Sequence, residues 1–81
     1  MTDVIHSPGS SRFEAGAAYL SYERHGSTFD IKHTVVPEEM GGQGLGGKLV
    51  QAAVDYARAQ QLDLVVTCEF ARGWLDKHPD A

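Results

Sequence analysis

Eighty-one residues, 42% hydrophobic and 22% charged, describe one globular domain spanning 1–81 and leave no room for the repeated strand-helix-strand units of a complete dinucleotide-binding sheet or nucleoside-triphosphatase core. Eleven acidic against seven basic residues give a net charge of -4, with the lysines and arginines scattered singly, which disfavours nucleic acid as a partner. One cysteine excludes an internal disulfide, and no apolar run is long enough for a signal segment or a spanning helix, so a cytoplasmic protein without a membrane partner is expected.

Residues 1–11 (MTDVIHSPGSS) hold only the apolar pair Val4-Ile5 before a Pro-Gly-Ser cluster and read as a short strand or a loose arm. Residues 12–15 (RFEA) and 17–24 (AAYLSYER) read as strands around a turn at Gly16, and a third strand follows His25-Gly26 at 28–36. Strict alternation in that strand puts Phe29, Ile31, His33 and Val35 on one face and Thr28, Asp30, Lys32 and Thr34 on the other, so His33 is expected on the apolar side. Pro37 stops the strand. From about 44 to 60, Leu45, Leu49, Ala52, Ala53 and Tyr56 recur at three- and four-residue steps, which predicts the longest helix. Residues 62–68 (LDLVVTC) read as a strand covered on both faces, and 69–77 as a second helix with Phe70 and Trp74 on its core side. The order predicts an α+β fold: an antiparallel meander of three to four strands, a long helix, a strand paired in parallel with the last meander strand, and a C-terminal helix.

The segment 41-GGQGLGGKL-49 sets five glycines within seven residues at the start of the long helix. It satisfies GxGxxG through Gly42, Gly44 and Gly47, and all of GxxxxGK[ST] except the last residue, where Leu49 replaces the magnesium-binding hydroxyl. The dinucleotide reading gains an acid at Glu69, yet the glycines of that fold follow their strand at once, and here PEEM intervenes. Free of any family, successive amides at a helix start attract an anion, and missing β-carbons let a phosphate approach. Gln43, Gly44, Leu45, Gly46 and Gly47 would supply those amides; a ligand-free tight turn is the competing reading.

These residues resemble the GNAT acetyltransferase superfamily, whose acetyl-CoA loop reads [QR]xxGx[GA]. Gly44 and Gly46 match its last two positions, while Gly41 stands where Arg or Gln is expected. The chain is most similar to the compact, single-domain YjdJ-type branch, through RFE at 12–14, AAYLSY at 17–22, HTVVP at 33–37, the glycine segment, Cys68-Glu69-Phe70 and His78-Pro79. Val35 departs from the acidic residue that often follows His-Thr in that branch. The resemblance implies a minimal GNAT-like fold and an acetyl-CoA-dependent N-acetyltransferase acting on an amine of a small molecule or a protein. It implies pantetheine lying as a pseudo-strand beside Thr34, Val35 and Val36, and pyrophosphate on Gly41, Gly42, Gln43, Gly44, Leu45, Gly46 and Gly47; Phe70 is a further CoA contact or a core residue, and His78 either reaches the nucleotide end of CoA or is a cation at the end of the C-terminal helix.

Acetyl transfer needs a neutral nucleophile near the thioester, donors for the developing oxyanion and a proton for the leaving thiolate. Cys68, between a strand and a helix start, is the candidate nucleophile, and packing is its competing role. His33 is either a general base or a core imidazole bonded to backbone. Glu38, Glu39 and Glu69 are acid-base candidates for direct attack by the amine, with solvated loops as the alternative for the first two. His6, His25, His33, His78 and Cys68 share no metal-ligand spacing, so no metal is expected. A non-catalytic CoA-binding or protein-interaction module is the alternative to the enzyme, and a monomer or weak homodimer the expected state.

Overall fold

A computed structural model of the chain describes residues 3–41 and 44–79, the side chain of Met40 excepted. Strands β1 (Ile5–Ser7), β2 (Arg12–Ala15), β3 (Ala18–His25) and β4 (Thr28–Val35) form an antiparallel meander; helix α1 (Leu45–Ala59) crosses over it to β5 (Asp63–Val66), which pairs in parallel with β4, and α2 (Glu69–Lys77) follows. The sheet order is β1-β2-β3-β4-β5, so the α+β reading and its single crossover hold. Residues 5–7, read as strand or arm, are a strand on β2. The segment Glu38–Met40 forms a single 3-10 turn.

Helix α1 covers one face of the sheet. Its buried stripe contains Leu45, Leu49 and Ala53 as expected, but Val50, Val54 and Ala57 complete it, while Ala52 and Tyr56 sit at its margin. Phe13, Leu20, Phe29 and Ile31 oppose it from the sheet. At the far edge His6 stacks on Phe13, with centroids 4.3 Å apart, and its Nε2 lies 2.7 Å from the Tyr22 hydroxyl, a contact no periodicity indicated. Among the described residues no helix is long and apolar enough to cross a membrane.

Two expectations need correction. Strand β5 is not covered on both faces: among the described residues it is the terminal strand, hydrogen-bonded only to β4, and Leu64 and Val65 are 39% and 43% exposed. The alternation of β4 also breaks. Tyr22 pairs with Ile31 and Ser21 with His33, so Lys32 is an extra residue opposite a continuous β3. A bulge of this kind reverses the facing of everything after it. His33 and Val35 therefore turn to the exposed outer face, and Thr34, paired with fully buried Leu20, turns to the helix side.

Candidate active site

The parallel ladder ends where the bulge begins. The last β4-β5 pair is Ile31 with Val66, and the Ile31 carbonyl then accepts from both the Thr67 and Cys68 amides, at 2.9 and 3.0 Å. Beyond that point the β5-facing edge of β4 has no strand partner among the described residues, and the two strands separate into a fork. Asp30 ties the branch point from the outer face, accepting from the Thr67 hydroxyl at 2.8 Å and pairing with the Lys32 ammonium at 3.2 Å.

Cys68 occupies the crotch of the fork as the residue that caps α2. Its thiol donates to the Thr34 hydroxyl oxygen at 3.5 Å, a contact made possible by the bulge that turned Thr34 inward. Burial alone would push the thiol up; the hydrogen bond with the Thr34 hydroxyl and the backbone groups of Ala71, Phe70 and Thr34 outweigh it and hold Cys68 below the ordinary cysteine range. Phe70 and Ala71 lie in the first turn of α2, so the backbone groups that favour the thiolate belong to the helix start.

A 590 Å³ cavity beside Cys68 is bordered by His33, Val35, Tyr19, Glu69 and Phe70. His33 thus shares a cavity with Cys68, but from the outer face, and among the described residues no hydrogen bond joins the two. Thr34, Val36 and Phe70 line a second space of 240 Å³, and Val36, Gly41, Gly44, Leu45, Gly46, Gly47, Phe70 and Trp74 a third of 340 Å³.

Gly44 caps α1 in the left-handed region, at φ 71°, and the first helical bond runs from the Lys48 amide to the Gly44 carbonyl at 3.1 Å. The amides of Leu45, Gly46 and Gly47 consequently have no partner inside the helix and form the anion-attracting end of the third space. Gly42 and Gln43 lie outside the described residues. The glycines at 46 and 47 have a second reason to be there: a β-carbon on Gly46 would stand 2.6 Å from Cζ of Phe70, and one on Gly47 would collide with Nε1 of Trp74. Phe70, expected on a core face, is 49% exposed and stands over the cavities. His78 lines none of the three spaces; it stacks on Trp74 at 4.1 Å and its Nδ1 lies 2.8 Å from the Trp74 carbonyl oxygen.

The meander thus forks from its parallel strand, and the glycine-started helix α1 borders the space at the fork. The model of the GCN5-related N-acetyl-transferase family matches residues 11–81, and the chain belongs to that family. It is 33% identical over 63 residues to Protein NATD1 of Xenopus tropicalis, covering 76% of this chain and 58% of that protein, and 32% identical to the human Protein NATD1, covering 76% and 56%. The chain therefore spans little more than half the length of these curated relatives. A solution NMR structure of a GCN5-like candidate N-acetyltransferase from Staphylococcus aureus superposes with a TM-score of 0.77 at 30% identity, covering 96% of this chain and 81% of that one.

Proposed function

We propose that the chain is an acetyl-CoA-dependent N-acetyltransferase in which Cys68 carries the acetyl group to an amine. The observation that carries this reading is the edge of β4 that no strand pairs among the described residues, which runs from the α1 amides that have no partner inside the helix to a thiol with lowered pKa. Leu45, Gly46 and Gly47 would hold the pyrophosphate through their amides, with Gly41 and Gly44 admitting it closely. The free backbone groups of Thr34 and Val36 would pair with the amides of the pantetheine arm as a neighbouring strand does. Acetyl-CoA supplies an activated acyl group.

In this reading the Cys68 thiolate attacks the acetyl carbonyl carbon, a carbon-sulfur bond forms to Cys68 as the bond to CoA breaks, and the CoA thiolate takes up the proton lost by the thiol. The amine then attacks the Cys68 thioester, gives up a proton, and returns Cys68 as thiolate. Thr34 supports the first step: its hydroxyl, the acceptor of the thiol proton, can rotate to donate to the anionic sulfur. His33 stands on the outer side of the same cavity, where an incoming ammonium could lose its proton.

A CoA-binding module without turnover is the second reading. The observation in its favour is that, among the described residues, no imidazole or carboxylate hydrogen-bonds Cys68. Incubation with acetyl-CoA followed by peptide mass analysis separates the two. An acetyl increment on the peptide containing Cys68, absent from Cys68→Ala, is the expected result; calorimetric binding of acetyl-CoA with an unmodified Cys68 would leave the module, and no binding would sink both.

A further inference from the structure

One side chain borders all three spaces of the fork. Phe70 borders both the 340 Å³ space at the glycine loop and the 590 Å³ space beside Cys68, and the 240 Å³ space that it lines against Thr34 and Val36 shares Val36 with the first and Thr34 with the second. That middle space is a neck, with β4 as one wall and the Phe70 ring as the other. The ring is not fixed by the core, since Phe70 is 49% exposed while its neighbour Ala71 is fully buried. It is seated on Gly46, where an added β-carbon would stand 2.6 Å from Cζ and 2.8 Å from Cε2. Real β-carbons do not approach so closely, so any side chain at 46 must drive the ring off its seat, and the three spaces of the fork are among the volumes open to it.

We propose that Phe70, seated on Gly46, sets the bore of the passage between the glycine loop and Cys68. It thereby acts as a specificity-determining residue that admits a slender, unbranched arm and excludes thicker ones. This inference rests on the acyl-CoA reading above. It also gives Gly46 a duty distinct from letting a phosphate approach: bare of a β-carbon, it keeps the ring out of the neck.

The test is a double-mutant cycle read by calorimetric titration of the whole chain with two probes. CoA carries the pantetheine arm; adenosine 3′,5′-bisphosphate carries the nucleotide end without it. Gly46→Ala is expected to weaken CoA at least tenfold more than it weakens the bisphosphate, roughly the size of an ordinary overpacking cost. Adding Phe70→Ala should restore CoA to within about threefold of Phe70→Ala alone, because the ring that blocked the neck is gone. Phe70→Trp, tested with its thermal melt, provides an independent arm: a larger ring at an exposed position should weaken CoA selectively without unfolding the chain.

Equal weakening of both probes by Gly46→Ala, with no rescue by Phe70→Ala, would assign Gly46 to the phosphate and overturn the inference while the acyl-CoA reading stands. Unaltered CoA binding by Phe70→Trp overturns it as well. Wild-type protein that binds neither probe brings down the reading and the inference together.

Discussion

Gly44 offers a test of the site's local geometry by chirality. Its φ of 71° and ψ of 18° lie in the left-handed region, and it is the residue from which α1 springs. A β-carbon built there meets nothing within 4 Å, so a side chain encounters no steric obstacle, only backbone strain. For an L-residue that strain is about 1–2 kcal/mol, partly offset by about 0.4–1 kcal/mol from the stiffer unfolded chain; Gly44→Ala should cost about 1 kcal/mol net. In an 81-residue domain this is a fall in melting temperature of about 4–8 °C. D-Alanine favours positive φ and keeps the stiffening of the unfolded chain, so at the same position it should stabilise by about 0.4–1 kcal/mol. The chain is short enough for chemical synthesis, and its one tryptophan, Trp74, reports unfolding in urea by fluorescence. The two alanine enantiomers should differ by about 1–2 kcal/mol, the left-handed strain alone. Equal stabilities would mean that position 44 is not held left-handed, and the orientation of the Leu45, Gly46 and Gly47 amides would lose its basis.

Three further outcomes follow from the same geometry. Gly47→Ala should destabilise by about 1–3 kcal/mol through the collision with Trp74, whereas Gly73→Ala, in α2 with open space around the new methyl, should stabilise by about 0.5–1 kcal/mol; urea melts that moved both variants in the same direction would contradict the packing described. Thr34→Val removes the hydroxyl that stabilises the Cys68 thiolate, so the pH profile of Cys68 alkylation by iodoacetamide should shift to higher pH with the fold retained, and an unmoved profile would remove Thr34 from the site. His6 is held below its ordinary value of 6.5 by burial among Phe13, Tyr22 and Tyr56, whose hydroxyl is in turn held by Arg24. The unfolded chain therefore binds the proton first, and stability should fall as pH drops through 6.5 toward the lower folded value. His6→Phe should flatten that slope, as read by melting temperature against pH.

The elements that rest on a long, regular signal were legible. The helix expected over 44–60 spans Leu45–Ala59, because four turns of three- and four-residue spacing admit one phase. The parallel pairing of β5 with β4 followed from chain topology alone, since a helical crossover must return in the same direction. Phase inside β4 was not legible. Val35 and Val36 are both apolar, so the pattern after Ile31 fits either face, and nothing in the letters marks Lys32 as the extra residue. The exposure of β5 escaped for a different reason: Leu64, Val65 and Val66 carry the composition of a covered strand, and only the sheet order makes it an edge. Phe70 escaped in the same way, because a spacing of four with Trp74 indicates a shared face and not what that face meets. Half of the glycine segment's meaning was likewise absent from the sequence. A run of glycines suggests a ligand or a turn, while the rings that fill the space above Gly46 and Gly47 come from a helix more than twenty residues later.

The bulge matters more than its one residue suggests, because β4 is shared by both sides of the fork. Toward β3 the extra residue is absorbed: pairing resumes at His33 and runs on to Val35, so the antiparallel side loses no ladder. Toward β5 it is not absorbed, and the parallel ladder ends at Ile31, whose carbonyl takes two amides instead of one. One insertion thus leaves a strand held firmly along one edge and bare along the other. The same insertion exchanges the facing of His33 and Thr34, withdrawing an imidazole to the outer surface and presenting a hydroxyl to Cys68. Strict alternation would have placed His33 among fully buried Leu20 and Ile31, where a charged imidazole is costly, and would have left Cys68 without its hydroxyl partner. The opening of the cleft and the composition of its wall are therefore a single structural event, located at the boundary between Ile31 and His33.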